Sequence, residues 1–438
     1  MEQTSLKIVR ILQDAGHQAY WAGGCVRDML LGKEPKDYDI ATSATPDQIE
    51  DLLEKTIPIG KEFGVILAIE GDHQFEVATF RSDSGYSDGR RPDAILFTHA
   101  EDDATRRDFT INGIFCDPIS KKIYDYVDGQ ADLKEKLIRF IGDPHERILE
   151  DHLRILRAIR FKNTLEFQYH PDTYHAITTH AKLADKVSGE RMRDELNKML
   201  LSDHAEDALE DLLETGVLKE VLPEVYAMKG VAQPTEYHHE GDVWAHAKQS
   251  LNSLSKYASI QLRWATFLHD VGKPMTFKLK ERIRFDHHAQ EGAKIAHNIL
   301  RRLAFSRKDI GHITWVIEHH MMLPQLLDMP LGRQRHWFFL PGFKDLLAVF
   351  EADIAGTDPA RYDLYTRVLE AYNDTLEKMP KVPKPLLSGN EIMELLKLKP
   401  GKKVGEIAEE LREKQLGHEL TTKKQATDWL KTNRMGLT

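Results

Sequence analysis

The sequence predicts an α+β protein, a head of mixed sheet and helices followed by an all-helical remainder. Three observations carry this. Short β-rich runs (Gln18 to Ala22, Tyr38 to Ala41, Gly64 to Ile69, Phe75 to Phe80) lie in the N-terminal third. From Ile138 onward strand signals nearly vanish and helical periodicity takes over. The chain has 438 residues, too long for one ordinary domain.

Taken in order, residues 1–137 form the expected head, opening with helical spacing at Leu6, Val9, Ile11 and Leu12. The polar, Gly-containing stretch between Arg81 and Pro92 (Ser82 to Arg91) reads as a mobile loop. Residues 138–227 form a helical neck, in which Glu146 to Phe161 is expected as one helix with Ile148, His152, Ile155, Leu156 and Ile159 on one side. A turn-rich break from Met228 to Gly241, with Gly230 and Pro234, opens a His-rich helical block, residues 228–375. Pro380, Pro383 and Pro385 make a stiff linker into an amphipathic, charged helical tail, residues 376–438. No internal repeat is visible.

Composition excludes several classes. Hydrophobic residues make up 41% and charged residues 30%, as in globular proteins. Apolar runs are too short for a bilayer-spanning helix, and the N-terminus has charges where a signal peptide has an apolar core. Two cysteines, Cys25 and Cys116, cannot build a disulfide framework or a Cys-rich zinc site, so a reducing cytoplasm is expected. A net charge of −10 argues against coating nucleic acid along the whole surface but leaves room for local basic patches.

The densest chemistry runs from Tyr20 to Thr42. Gly23-Gly24 follows a strand signal and opens a helix through Val26-Arg27-Asp28; glycines let backbone approach a phosphate, and Arg27 offers a fork that suits one. Alone, that is an ordinary strand-to-helix turn. Asp37-Tyr38-Asp39 adds weight, because alternate strand residues share a face and two converging carboxylates repel unless a cation sits between them. Mg²⁺ takes carboxylates together with phosphate oxygens. Glu76 is a candidate third carboxylate from a neighbouring strand. Arg106-Arg107-Asp108 to Asn112 packs cation, acid and amide into one turn, and Arg154, Arg157 and Arg160 recur every third residue along the neck helix. Surface pairing of Glu150 or Asp151 with Arg154 is the plainer explanation of that helix.

These four motifs, Gly23-Gly24-Cys25-Val26-Arg27-Asp28, Asp37-Tyr38-Asp39-Ile40-Ala41-Thr42, Arg106-Arg107-Asp108…Asn112 and Glu150-Asp151-His152-Leu153-Arg154, resemble in order and spacing the class II CCA-adding tRNA nucleotidyltransferases and their bacterial poly(A) polymerase relatives. The resemblance covers roughly residues 18 to 225. It implies a polymerase-beta-type nucleotidyltransferase head with Mg²⁺ on Asp37 and Asp39, and triphosphate contacts from Gly24 and Arg27. It further implies a ribose and phosphate pocket from Arg107, Asp108 and Asn112, a base-edge template from Asp151 and Arg154, and further nucleotide contacts from Arg157 and Arg160. The implied activity is addition of C, C and A from CTP and ATP to the tRNA 3′ end. An A-adding enzyme following a separate CC-adding one, or a non-catalytic RNA-binding and nucleotide-sensing protein, stays open. In this family CC-only enzymes lack a flexible loop, which here spans Arg81 to Thr105 intact.

In the third segment His246, His269-Asp270, the doublets His287-His288 and His319-His320, and Asp353 are spaced so that ligands from different helices converge. This order resembles the HD superfamily of metal-dependent phosphohydrolases. It implies an unidentified divalent metal on His246, His269, Asp270, His288, His320 and Asp353, with Lys273 placed for a substrate phosphate. A purely structural HD block is the alternative. Lys402-Lys403 and Lys423-Lys424 are candidate tRNA phosphate contacts. Partners are then tRNA, CTP and ATP, with no membrane; the oligomeric state stays open.

Overall fold

A computed structural model of the chain describes residues 1–86, 89, 92–234, 239–279 and 281–434. It divides into two compact units, Met1–Pro223 and Glu224–Thr438.

The first unit is built on a seven-stranded mixed sheet. Its strands are β1 (Ala19–Ala22), β2 (Asp39–Thr42), β3 (Thr56–Gly60), β4 (Val65–Glu70), β5 (His73–Thr79), and, after a separate hairpin of β6 (Arg81–Ser84) with β7 (Ala94–Phe97), β8 (Ile114–Cys116) and β9 (Ile123–Asp125). The order is β3-β4-β5-β2-β1-β8-β9. β2 runs parallel to β5, and the other neighbours are antiparallel. Every residue of β1 is buried, so this strand is the spine of the core. Ile8, Val9 and Leu12 of helix Glu2–Asp14 are buried with it; each side chain so buried contributes about 1.5–3 kcal/mol.

Register brings the separated motifs together. Ala22 at the end of β1 pairs with Asp39 at the start of β2 and with Phe115 of β8. Ile40 pairs with Val77, which sets Glu76 beside Asp39 on the opposite face from the buried Ile40 and Val77. The Gly23-Gly24 turn, Asp39, Glu76 and the segment entering β8 therefore share one end of the sheet.

The neck is helical. Leu153–Leu165 buries Ile155, Leu156 and Ile159 and packs on Gly189–Leu200, which buries Leu196, Met199 and Leu200. Truncating a side chain such as Ile159 to Ala there costs about 2–5 kcal/mol.

Three expectations need correction. The stretch expected as one helix from Glu146 is two, Pro144–Glu150 and Leu153–Leu165. Asp151 is extended (φ −146, ψ 105) and its carboxylate accepts from the Leu153 N–H, so it stops one helix and caps the next. Part of the expected loop is the β6–β7 hairpin; Ser87, Asp88, Arg90 and Arg91 lie outside the described residues. Strands also recur after Ile138, as the parallel pair Leu137–Ile138 with Gln168–Tyr169 and the hairpin Phe277–Leu279 with Ile283–Phe285. They are too short to show a period.

The second unit is helical apart from that hairpin. Helices Val243–Asn252, Ile260–Leu268, His288–Arg302, Arg307–His319 and Phe343–Ala355 surround its core. Asp242, Ser259 and Ser306 cap three of them through side-chain oxygens. Residues 235–238, within the expected turn-rich break, lie outside the described residues. Helices Gly389–Leu396, Lys402–Leu416 and Lys423–Arg434 close around Ile392, Leu396, Ile407, Leu411 and Leu430.

Candidate active site and metal centre

A cavity of about 850 Å³ opens at the end of the head sheet where the motifs meet. Gly24, Arg27, Asp37, Asp39, Glu76, Arg107, Asp108, Asn112, Arg157 and Arg160 all line it. Gly23 turns the chain from β1 into helix Gly24–Leu30 at φ +71, a conformation that favours glycine. A Cβ there would also lie 3.0 Å from the Arg107 guanidinium. Asp37 sits two residues before Asp39 but outside β2, whose first residue is Asp39. Partial burial, with the charges of Asp37 and Glu76, pushes the Asp39 carboxyl up to about 6 against the pull of Arg107. Three carboxylates in one another's field are the donor set that a hard divalent cation fits.

The cavity is also lined by cations, and these are already ordered. Arg27 donates to Asn112 Oδ1 at 2.8 Å, Asn112 Nδ2 to Asp108 Oδ1 at 3.0 Å, and Arg157 Nε to Asp108 Oδ2 at 2.8 Å. Arg160 Nε donates to Glu195 Oε2 at 2.5 Å. Burial alone would raise the Asp108 carboxyl, but Arg157 and the Asn112 amide hold it well below its ordinary range.

Asp151 and Arg154 are not among the residues lining the cavity. Arg191 grips Asp151 with both guanidinium nitrogens, at 3.0 and 2.7 Å. Arg154 pairs with Glu150 at 2.5 Å and donates to the Arg147 carbonyl at 2.8 Å. The Glu150–Arg154 pairing weighed as the plainer account of this helix is therefore present, though with a buried arginine rather than on the surface.

The second unit carries a second cavity of about 520 Å³ lined by Asp270, Lys273, His288, His320 and Asp353. Two ligand groups form, His246, His269 and Asp353, and Asp270, His288 and His320. Each imidazole turns Nδ1 to a backbone carbonyl: Gly356 for His246 (3.2 Å), Thr266 for His269 (2.6 Å), Phe285 for His288 (2.9 Å) and Ile317 for His320 (2.7 Å). Donation there puts the proton on Nδ1 and the lone pair on Nε2, facing inward. The Nε2 atoms then meet in pairs, His246 with His269 at 3.3 Å and His288 with His320 at 3.2 Å. His246 Nε2 also lies 2.9 Å from Asp353 Oδ1, and ligands about 2.1 Å from one ion stand about this far apart, so the groups fit a shared cation. Asp270 faces both groups, Oδ2 lying 3.3 Å from His269 and Oδ1 3.4 Å from His288. Asp270 Oδ2 accepts no well-directed hydrogen bond, although Lys273 Nζ lies 2.6 Å away. Lys273 also donates to Gln233 at 2.6 Å.

Several supporting residues escaped the sequence reading. Asp103, almost wholly buried, holds Arg106 at 2.6 Å and Arg107 at 3.1 Å; burial opposes its charge, but the two arginines keep its carboxyl below the ordinary range. Its spacing three and four residues ahead of the arginines was the available signal. Arg191 reaches Asp151 and Glu195 reaches Arg160 across 40 and 35 residues, and no local pattern reveals such pairs. Glu240, 3.2 Å from His246, is equally silent in the sequence.

Known proteins bear on both cavities. Residues 19–139 match the Poly A polymerase head domain, 166–228 the probable RNA and SrmB-binding site of polymerase A, and 237–335 the HD domain. Asp353 lies beyond the HD match, and the helix Leu153–Leu165 falls wholly between the first two. The chain is similar to the CCA-adding enzyme of Levilactobacillus brevis, 44% identical over 48% of this chain and 53% of that one. It is 38% identical to the CCA-adding enzyme of Bacillus subtilis over 61% of this chain and 64% of that one. The chain thus spans about half to just under two thirds of the curated relatives it matches. The crystal structure of the Bacillus stearothermophilus CCA-adding enzyme in complex with CTP superposes with a TM-score of 0.72 at 26% identity, covering 98% of this chain and 96% of that one. A CCA-adding enzyme solved with ATP shares the fold, with a TM-score of 0.62 at 19% identity. Motif order, cavity and likeness agree: the chain carries a poly A polymerase head domain followed in sequence by an HD domain, and it is similar to CCA-adding enzymes.

Proposed function

We propose that this chain is a tRNA nucleotidyltransferase that adds C, C and A from CTP and ATP to the tRNA 3′ end without a nucleic-acid template. One observation carries the reading: Asp37, Asp39 and Glu76 line the same cavity as Arg27, Arg107, Arg157 and Arg160. In this reading Asp37 and Asp39 hold Mg²⁺, which when bound neutralises the triphosphate and polarises the phosphoryl group under attack. Gly24 and Arg27 receive the triphosphate, and Arg107, Asp108 and Asn112 fix the ribose side. The tRNA 3′ oxygen forms a bond to the α-phosphorus as the bond to pyrophosphate breaks, so the chain's share is positioning and charge stabilisation. Asp151 Oδ2 carries one contact, from Arg191, and keeps an acceptor lone pair for the exocyclic amine that cytosine and adenine both present. Arg154 supplies donors beside it, and Arg157 and Arg160 hold the nucleotide from the neck.

The domain division goes with this proposal: head 1–137, neck 138–227, HD block 228–375 and tRNA-binding tail 376–438. The chain works in a reducing cytoplasm; no helix among the described residues is long and apolar enough to cross a membrane. The test supplies tRNAs lacking A, CA or CCA with each triphosphate alone and sequences the 3′ ends. Stepwise C, C and A addition is expected. Extension by ATP of CC-ended tRNA only would select the A-adding alternative, and no incorporation would leave only nucleotide sensing.

The paired ligand groups favour a second reading for the HD domain, metal-dependent phosphoester hydrolysis. His246, His269 and Asp353 would hold one divalent ion, His288 and His320 a second, with Asp270 facing both. A bound ion there supplies an activated water. Phosphatase activity lost in Asp270→Ala while CCA addition persists is the expected result; no metal uptake by the wild-type chain would overturn it.

A further inference from the structure

Phe161 lies in the wall of the head cavity, almost wholly buried, with the Phe109 ring against it edge-on at 5.7 Å. Three guanidiniums surround its ring: Arg160 at 3.9 Å from the centroid, Arg27 at 5.0 Å and Arg157 at 5.2 Å. All lie within the roughly 6 Å over which an aromatic face attracts a cation. They come from two elements far apart in sequence, Arg27 from helix Gly24–Leu30 and the others from Leu153–Leu165. Left alone, three like charges this close would spread apart. Their acidic partners differ: Asp28 for Arg27, Asp108 and Glu195 for Arg157, Glu195 for Arg160. Among the described residues no carboxylate makes an ion pair with all three. The ring is the group they share.

We propose that Phe161 is a positioning residue for nucleotide binding, its ring gathering Arg27, Arg157 and Arg160 into one cationic wall against which the triphosphate docks. This rests on the nucleotide-transfer reading of the head. An aromatic ring suits the task because it attracts cations without neutralising them. A carboxylate in its place would hold the arginines equally close, but would compete with the phosphate oxygens for their N–H groups. An aliphatic side chain would fill the space without drawing the three guanidiniums toward one point.

The test uses the full chain with a ring-trifluorinated phenylalanine at position 161, which keeps the shape and weakens the negative face, beside Phe161→Leu and Phe161→Tyr. CTP and ATP affinity is measured with Mg²⁺ and without tRNA, together with KM, kcat and the melting temperature. Fluorination is expected to weaken both nucleotides about tenfold, the equivalent of losing roughly 1.4 kcal/mol of cation attraction. KM should rise by the same factor while kcat and melting temperature hold, because the arginines bind the triphosphate before and during reaction alike. Phe161→Tyr, which keeps the electron-rich face, is expected to match the wild type. A fluorinated chain that binds CTP as the wild type does would show that the ring only packs, and would overturn the proposal whether or not Phe161→Leu folds. A wild-type chain that binds CTP yet adds nothing to tRNA overturns the transfer reading alone and leaves the ring to be judged on affinity; one that binds no CTP overturns both.

Discussion

The two cavities of this molecule solve the problem of holding charge in opposite ways. The HD ligands are assembled in advance: His246, His269, Asp270, His288 and His320 are all buried, and every imidazole is oriented by a backbone carbonyl. Nitrogen-rich, closed sets of this kind suit borderline transition ions. The head carboxylates are different. Asp37 and Asp39 remain exposed at a strand end, with oxygen donors only, and what is pre-ordered there is the arginine wall. A site of that kind leaves coordination positions to be completed by the substrate's own phosphates, as Mg²⁺ requires. On the proposed function, one unit would hold a resident ion and the other an ion that arrives with substrate.

The comparison breaks first at Asp37. Asp37→Ala and Asp39→Ala should each lower nucleotide incorporation by about 10³-fold or more, since the charge they hold is worth several kcal/mol in the transition state. Elemental analysis of the purified variants should show the HD metal content unchanged. Loss of that metal together with incorporation would mean the two sites are not independent.

Asp270→Ala should produce the mirror image. Removing the carboxylate that faces both histidine pairs should weaken metal retention by at least about 10–100-fold, the effect of losing even an outer partner. Incorporation of CTP and ATP should stay within about twofold, because the head cavity and the HD residues belong to different compact units. Retention of a full complement of metal after dialysis would sink the shared-ligand account.

How far the sequence carried this comparison depended on whether partners were local. Asp37, Asp39, Gly24, Arg27, Arg107, Asp108 and Asn112 were legible because short motifs fixed their spacing, and the register of β1, β2, β5 and β8 brought them together. The histidines and carboxylates that cluster in the second cavity were singled out by their order along the chain, which resembles the HD superfamily. The break at Asp151 was not, since an isolated Asp within a helical period scores only a few tenths of a kcal/mol against helix. Nor were Arg191, Glu195 and Glu240, whose partners lie on other elements. Of the β6–β7 hairpin, β6 hid behind its polar residues Arg81 to Ser84, and β7 is an apolar run of only four residues, because a strand pair off the main sheet need not alternate.

A smaller effect sharpens the contrast from the stability side. Burial raises Asp103 and Glu195, but arginines hold both carboxyls below the ordinary range, as they do Asp108. Carboxyls so depressed in the folded state add stability that is full above their unfolded values, near pH 4, and is lost as the pH falls below them. The melting temperature of the first unit should therefore drop steeply between about pH 4 and pH 2, and the drop should flatten in Asp103→Asn. An unchanged acid limb in that variant would remove the arginine wall from the list of things that hold the head together.

The smallest expected effect concerns the tail. Lys402 and Lys423 are exposed and each has an acidic neighbour, Glu406 at 3.6 Å for Lys402 and Glu391 for Lys423. Lys423, together with the Ser388 N–H and hydroxyl, pulls the Glu391 carboxyl down to about 2. An RNA phosphate must displace it, so Lys423 should contribute less to tRNA binding than its exposure suggests. Lys402→Ala should lower the slope of log affinity against log salt by about one, as expected for one lost phosphate contact. Lys423→Ala should lower it by less, with Glu391→Gln restoring the full contribution by freeing the ammonium. Equal salt slopes for wild type and Lys402→Ala would assign these lysines to the tail's own surface, where the charge serves the Lys402–Leu416 helix and not the RNA.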